Sequence, residues 1–108
     1  MPRDHEYLTD IFESCRLVKS YTSDITKDEF LDDVKCQDAV IRRFEIIGEA
    51  ARRISDEMKT EYPEIPWFEM TGMRNIMIHE YDDVDMSIVW ETVKKDIPEL
   101  LTAIEKLI

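Results

Sequence analysis

The run Arg74-Asn-Ile-Met-Ile-His79-Glu-Tyr81 brings a permanent cation, an imidazole and a phenol together within one short stretch of chain. Histidine changes charge between about pH 5 and 8, and the planar arginine fork matches a phosphate. The other histidine, His5, lies near the start of the chain, where ends fray. Cutting RNA without a metal needs a base for the 2′-OH proton, an acid for the departing 5′ oxygen, and a cation for the charge on the phosphorane. One chain supplies one suitable histidine and one arginine, and two copies supply the full set. The plainer reading is an arginine and a histidine that happen to sit near a helix end, because so short a spacing recurs by chance.

Composition narrows the chemistry. A chain of 108 residues fits one domain, residues 1–108, and 44% apolar residues are enough to build a core. Two glycines leave no room for a Gly-rich phosphate loop. No apolar run reaches the roughly 18 residues of a membrane span, and the polar N-terminus lacks the apolar stretch of a secretory signal. Cys15 and Cys36 lack metal-ligand spacing and read as buried or half-buried thiols of a cytoplasmic protein. The net charge is −11, and residues 61–85, with seven acidic side chains against Arg74 alone, are among the most acidic. Loose binding to nucleic acid runs on many Lys and Arg contacts to phosphate, so any RNA contact here must be local and geometric. A basic partner surface fits the same field.

The apolar spacing is helical almost throughout and predicts an all-α, up-and-down bundle of about four main helices plus short helical segments. Leu8, Ile11, Phe12, Cys15, Val18 and Tyr21 mark the first helix, with Asp4 as its expected N-cap. Thr26 and Glu29 have capping-box spacing ahead of Phe30 and Leu31. Val40, Phe44, Ile47, Ala51, Ile54 and Met58 predict one long central helix, widened by Ile41, Ile46, Gly48 and Ala50. Gly48 suggests a close helix approach, within the chain or across a dimer. Pro63 and Pro66 end this helix in a stiff corner, with Pro66 expected in the first turn of the next. That next helix carries Trp67, Met70, Met73, Ile76 and Met77. Asp85 is the expected cap of the last helix, in which Pro98 forces a restart at Asp96 or a kink.

On an ideal helix, residues five apart differ by about 140° and residues two apart by about 200°. Arg74, His79 and Tyr81 therefore converge only if the helix ends near His79 or if a second copy brings its own segment alongside. Glu80, Asp82, Asp83 and Asp85 read as a solvated loop with a cap, and no metal site is expected. Arg42, Arg43, Arg52 and Arg53 alternate with Glu45, Glu49, Asp56 and Glu57, as on an ion-paired helix face. Trp67, Met70, Met73 and Met77 read as core, and Trp90 as core or interface.

The segment Arg74-Asn75-x3-His79-x-Tyr81 resembles the Arg-x4-His-x-Tyr signature of the HepT-like branch of the HEPN domain superfamily. Gln37-Asp-Ala-Val, Ile46-Ile-Gly-Glu-Ala-Ala, Ile65-Pro-Trp, Gly72-Met-Arg-Asn, Val89-Trp and Asp96-Ile-Pro extend the resemblance over roughly residues 8–101. It implies a helical homodimer with the motif lining a cleft, acting as a metal-independent RNase and as the toxin of a type VII toxin–antitoxin pair. Arg74 would then bind the phosphate, His79 would act in acid–base catalysis, and Asn75 would orient one of them. An MntA-like nucleotidyltransferase antitoxin would use ATP to place AMP on Tyr81, with no cofactor held by this chain. The other class of function left open is a non-catalytic helical partner, or substrate-binding subunit, of a minimal nucleotidyltransferase, which the acidic surface fits.

Overall fold

Helical periodicity is realised as helices throughout the described residues. The computed structural model describes residues 3–79 and 85–108, with the backbone alone for 74–79. Helix α1 spans Asp4–Thr22, α2 Lys27–Leu31, α3 Val34–Arg53, α4 Asp56–Glu61 and α5 Trp67–His79. The last column runs unbroken as α6 (Met86–Glu91), a π-helical turn (Thr92–Asp96) and α7 (Ile97–Glu105). The four main members of the up-and-down bundle are α1, α3, α5 and this last column, as the apolar pattern predicts. Helix α3 packs against α1 and against α5, and α1 also packs against α7. Ile11, Val18, Val40, Ile47, Ile97 and Ile104 are completely buried along these seams. Trp90 is core, stacked against Phe30 at 5.2 Å between ring centres.

Local signals set several boundaries as expected. The Thr26 hydroxyl accepts from the Glu29 N–H at 3.1 Å, and the Glu29 carboxylate accepts from the Thr26 N–H at 2.9 Å, a complete capping box. Asp33 caps α3 by accepting from the Cys36 N–H. The Gln37 amide donates to the Phe30 and Leu31 carbonyls and so satisfies the end of α2 from the next helix. Asp85 caps α6 through the Ser87 N–H at 2.8 Å.

Several local expectations are corrected. Asp4 does not cap α1; it is the first helical residue, and its buried carboxylate reaches Ser55 instead. It accepts from the Ser55 N–H at 2.9 Å and from the Ser55 hydroxyl at 2.6 Å. The same hydroxyl accepts from the Met58 N–H and caps α4. This is why the central helix does not run through to Met58. Ile54 and Ser55 turn extended, with ψ of 140° and 152°, so α3 stops at Arg53 and a separate α4 ends before Pro63. Apolar periodicity passes over this break because Ile54 stays buried on the far side of it. Pro66 sits one residue before α5, where its carbonyl accepts the Met70 N–H at 3.0 Å, and not inside the first turn.

The last column does not restart on an Asp96 cap; a π-helical turn interrupts the α-helix there. The Asp96 side chain makes no cap bond, and the Ile97 N–H donates to the Thr92 carbonyl five residues back. Pro98 then falls in the first turn of α7, where its missing N–H is not needed. The wide turn absorbs the proline. Within it, Lys94 donates to the Thr22 carbonyl at 3.0 Å and lies 4.7 Å over the Trp90 ring, a cation at the C-terminus of α1. Gly48 is buried within the single chain, which makes it a packing glycine of α3 rather than an exposed dimer contact.

Two substitutions test this account. Burial alone would raise the Asp4 carboxyl, but the Ser55 hydroxyl and N–H outweigh it and hold it below the ordinary value of 3.8. A lowered folded-state value means stability that is present at neutral pH and is lost as pH falls through that value. Asp4→Asn is expected to cost about 1–2 kcal/mol at neutral pH, with the penalty shrinking once pH drops below the ordinary carboxylate range. Urea unfolding of both proteins across that range checks it. At Gly72 an added Cβ meets no atom within 4 Å. Gly72→Ala should therefore stabilise the isolated chain by up to about 1 kcal/mol in the same measurement.

Candidate functional site

Helix α5 carries the site, and its first turns show how it is seated. The Trp67 indole N–H donates to the Tyr62 carbonyl at 3.0 Å, pinning the proline corner. Trp67 and Met70 are buried, and Phe68, one residue on from Trp67, is 87% exposed. These three residues fix the rotation of the helix. A step of seven residues returns to within about 20° of the starting direction, as does a step of eleven. By backbone register Arg74 therefore follows Trp67, on the side packed against α3. Asn75 follows Phe68, on the side turned away from it, and His79 falls between the registers of Phe68 and Gly72.

The helical backbone thus holds three of the four expected site residues on one element, Trp67–His79. It leaves Arg74 and His79 about 140° apart around the axis, as a helix through both requires. Tyr81 lies outside the described residues, as do the side chains of Arg74, Asn75, His79 and Met77 and the residues Glu80, Asp82 and Asp83.

The remaining sequence candidates resolve into structural roles. Arg42 pairs with Glu45 at 3.6 Å, and Arg52 and Arg53 both pair with Glu49, at 2.7 and 3.1 Å. These are exposed pairs within one helix and contribute little to stability. A depression of about 510 Å³ between α1 and α3 is lined by Arg42 and Arg53 together with Asp10, Glu45 and Glu49, so it is no anion cradle. Met70 is core and Met73 packs partly buried against it. Burial pushes the Cys15 thiol up to about 12, and burial with the nearby Asp33 charge raises Cys36. Neither is a ready nucleophile. Among the described residues no three His, Cys, Asp or Glu side chains gather as metal ligands, and no helix is long and apolar enough to cross a membrane.

Two features escaped the sequence. One is the exposure of Phe68 in the register of Asn75 and His79. The other is a groove between α5 and α7, edged by Glu64, Glu69, Asp96 and Glu99. The groove edges lie some thirty residues apart in the chain, so no local spacing could have signalled it.

A model of the Ribonuclease HepT-like family matches residues 11–107. A protein of Thermococcus cleftensis described as a probable ribonuclease HepT is 49% identical over 108 residues, which cover 99% of this chain and 98% of that protein. A Methanocaldococcus jannaschii protein described provisionally as an RNase is 42% identical over 92% of this chain and 91% of its own length. A second protein of that organism, described as a gamma-glutamylcyclotransferase and provisionally an RNase, is 48% identical over 94% of this chain. The match spans only 46% of that longer protein. No solved structure matches the chain. With a family model across residues 11–107 and relatives aligned nearly end to end, the chain belongs to the HepT-like ribonuclease family.

Proposed function

We propose that this chain is an endoribonuclease that cuts RNA without a metal, at a cleft between two copies of itself. The observation that carries the reading is membership of the HepT-like ribonuclease family across residues 11–107, with Arg74, Asn75, His79 and Tyr81 all present inside that span. Arg74 grips the scissile phosphate and offsets the charge that builds on the phosphorane. One His79 takes the 2′-OH proton as that oxygen attacks phosphorus. The P–O5′ bond breaks, and the His79 of the second copy returns a proton to the leaving oxygen. The products are a 2′,3′-cyclic phosphate and a 5′-hydroxyl, and Asn75 orients one of the reacting groups. Helical register supports the pairing, because Asn75 and His79 follow the exposed Phe68, a face that a second copy would cover.

The same reading makes the chain the toxin of a type VII, HepT/MntA-like toxin–antitoxin pair. The MntA-like nucleotidyltransferase transfers AMP from ATP to the Tyr81 oxygen, releasing pyrophosphate. The added phosphate charge beside the catalytic pair repels RNA. The net charge of −11 also suits a non-catalytic helical partner of a nucleotidyltransferase, and the first experiment below separates the two.

In excess chelator, purified wild type should cleave RNA to cyclic-phosphate ends, with His79→Ala and Arg74→Ala each slower by about 10²-fold or more. RNA left intact by a folded wild-type dimer would sink the enzyme reading and leave the partner reading standing. Incubation with the nucleotidyltransferase and ATP should raise the mass in AMP-sized steps. Those steps should vanish in Tyr81→Phe, and their persistence there would place the modification elsewhere.

A further inference from the structure

A four-helix bundle has four seams to close, and the described residues close three: α1 with α3, α3 with α5, and α1 with α7. Between α5 and the last column lies an open groove of about 600 Å³. Its floor is apolar, made by Met70, Met73, Leu100 and Ala103. Gly72 contributes no side chain to it, although a Cβ there would meet nothing within 4 Å. Along the last column the lining runs from Thr92 to Ala103, a rise of about 16 Å, which matches three turns of a helix laid alongside. Glu64, Glu69, Asp96 and Glu99 stand on the edges, and among the described residues no Lys or Arg lines the groove. None of the four has an ion-pair partner among the described residues.

We propose that this open seam is the docking site for a basic amphipathic helix of a partner protein. The apolar stripe of that helix would lie on Met73 and Ala103, above the buried Met70 and Leu100, and its Lys and Arg would reach the four carboxylates. The site asks for a helix because the open seam runs between two helices of the bundle, and helix-in-groove docking needs an apolar floor of this length. It asks for cations because the described charged residues on its edges are all carboxylates. RNA is disfavoured by the same carboxylates, which repel its phosphates. A second copy of this chain is a poor occupant. Its net charge is −11, and its arginine-bearing helix α3 buries its own apolar face and pairs Arg42, Arg52 and Arg53 with Glu45 and Glu49. This inference does not depend on the chain cutting RNA.

The probe is a fluorescein-labelled Leu/Lys amphipathic peptide of about fourteen residues, followed by anisotropy at about 0.15 M salt. Wild type should bind it, and the double reversal Glu69→Lys, Glu99→Lys should weaken binding about tenfold or more. A control reversal away from the groove, Asp28→Lys with Glu105→Lys, changes net charge equally and should weaken it by no more than about twofold. Gly72→Leu fills the groove and should also weaken the peptide about tenfold or more. Because its Cβ has room, it keeps the test sharp if the double reversal fails to fold, as thermal melts would show. Absence of peptide binding, or equal loss in the control reversal, overturns the proposal. So does a Gly72→Leu protein that loses a wild-type dimer in sedimentation, which would make a second copy the occupant, or one that loses affinity for an RNA oligomer. Loss of RNA cleavage in His79→Ala with peptide binding intact would leave this inference standing on its own.

Discussion

Val40, Phe44, Ile47 and Ala51 lie along one side of α3, while Ile41 and Ala50 widen the apolar band beyond it, and all six are buried. One neighbour cannot cover a band that wide, because a helix presents a single stripe to each helix it packs against. Two-sided burial of α3 is therefore the constraint on which the other positions depend. It draws α1 to one side and α5 to the other. The seat of α5 on α3, through Trp67 and Met70, then fixes how α5 is rotated, and with it the direction from which each motif residue leaves the backbone. Asp4 closes the arrangement at one end, tying the start of α1 to the joint after α3 through Ser55.

Charge pulls in the opposite sense to the proposed substrate. A chain of net charge −11 repels a polyanion at long range, and its exposed arginines on α3 are held by Glu45 and Glu49. At physiological salt that repulsion fades over about 8 Å, so a single guanidinium placed against a phosphate can outweigh it at contact. Recognition then rests on geometry, and little non-specific affinity is available to hold RNA in a poor pose. The same field draws cationic protein surfaces inward, which makes a basic partner the natural counterpart of the acidic flank of α5.

What was legible in the sequence was whatever local spacing decides. The Thr26–Glu29 capping box, the Asp85 cap and the apolar stripe of α3 as far as Ala51 are settled by residues two to four apart, and each is realised as read. What misled was settled by distant partners. Asp4 has the side chain of an N-cap but gives it to Ser55, fifty-one residues away. The stripe through Ile54 and Met58 remains apolar across a break that only the Ser55 cap reveals. Pro98 announced an interruption, but a π turn, with Lys94 reaching Thr22 and Trp90 from within it, was not legible from the proline alone. For the site, Arg74, Asn75, His79 and Tyr81 were legible as a motif, while their sides of the helix became so only once Trp67 and Phe68 had set the rotation.

That rotation divides α5 into three sectors with separate tasks. Trp67 is buried on the anchored side, Glu69, Met70, Gly72 and Met73 line the open seam, and Phe68 is exposed beside it. Successive residues turn by about 100°, so no contiguous motif can keep its members in one sector. Arg74 falls in the register of the anchored side and His79 in that of the exposed side, and the packing of α3 forbids rotating the helix to favour either. A lone bundle thus cannot align arginine and histidine by backbone placement. The remaining routes are the reach of the long arginine side chain around the helix and the approach of a second α5 on the face that Phe68 leaves uncovered. Under the proposed RNA cleavage, the second route would also supply the additional histidine for the acid and base roles.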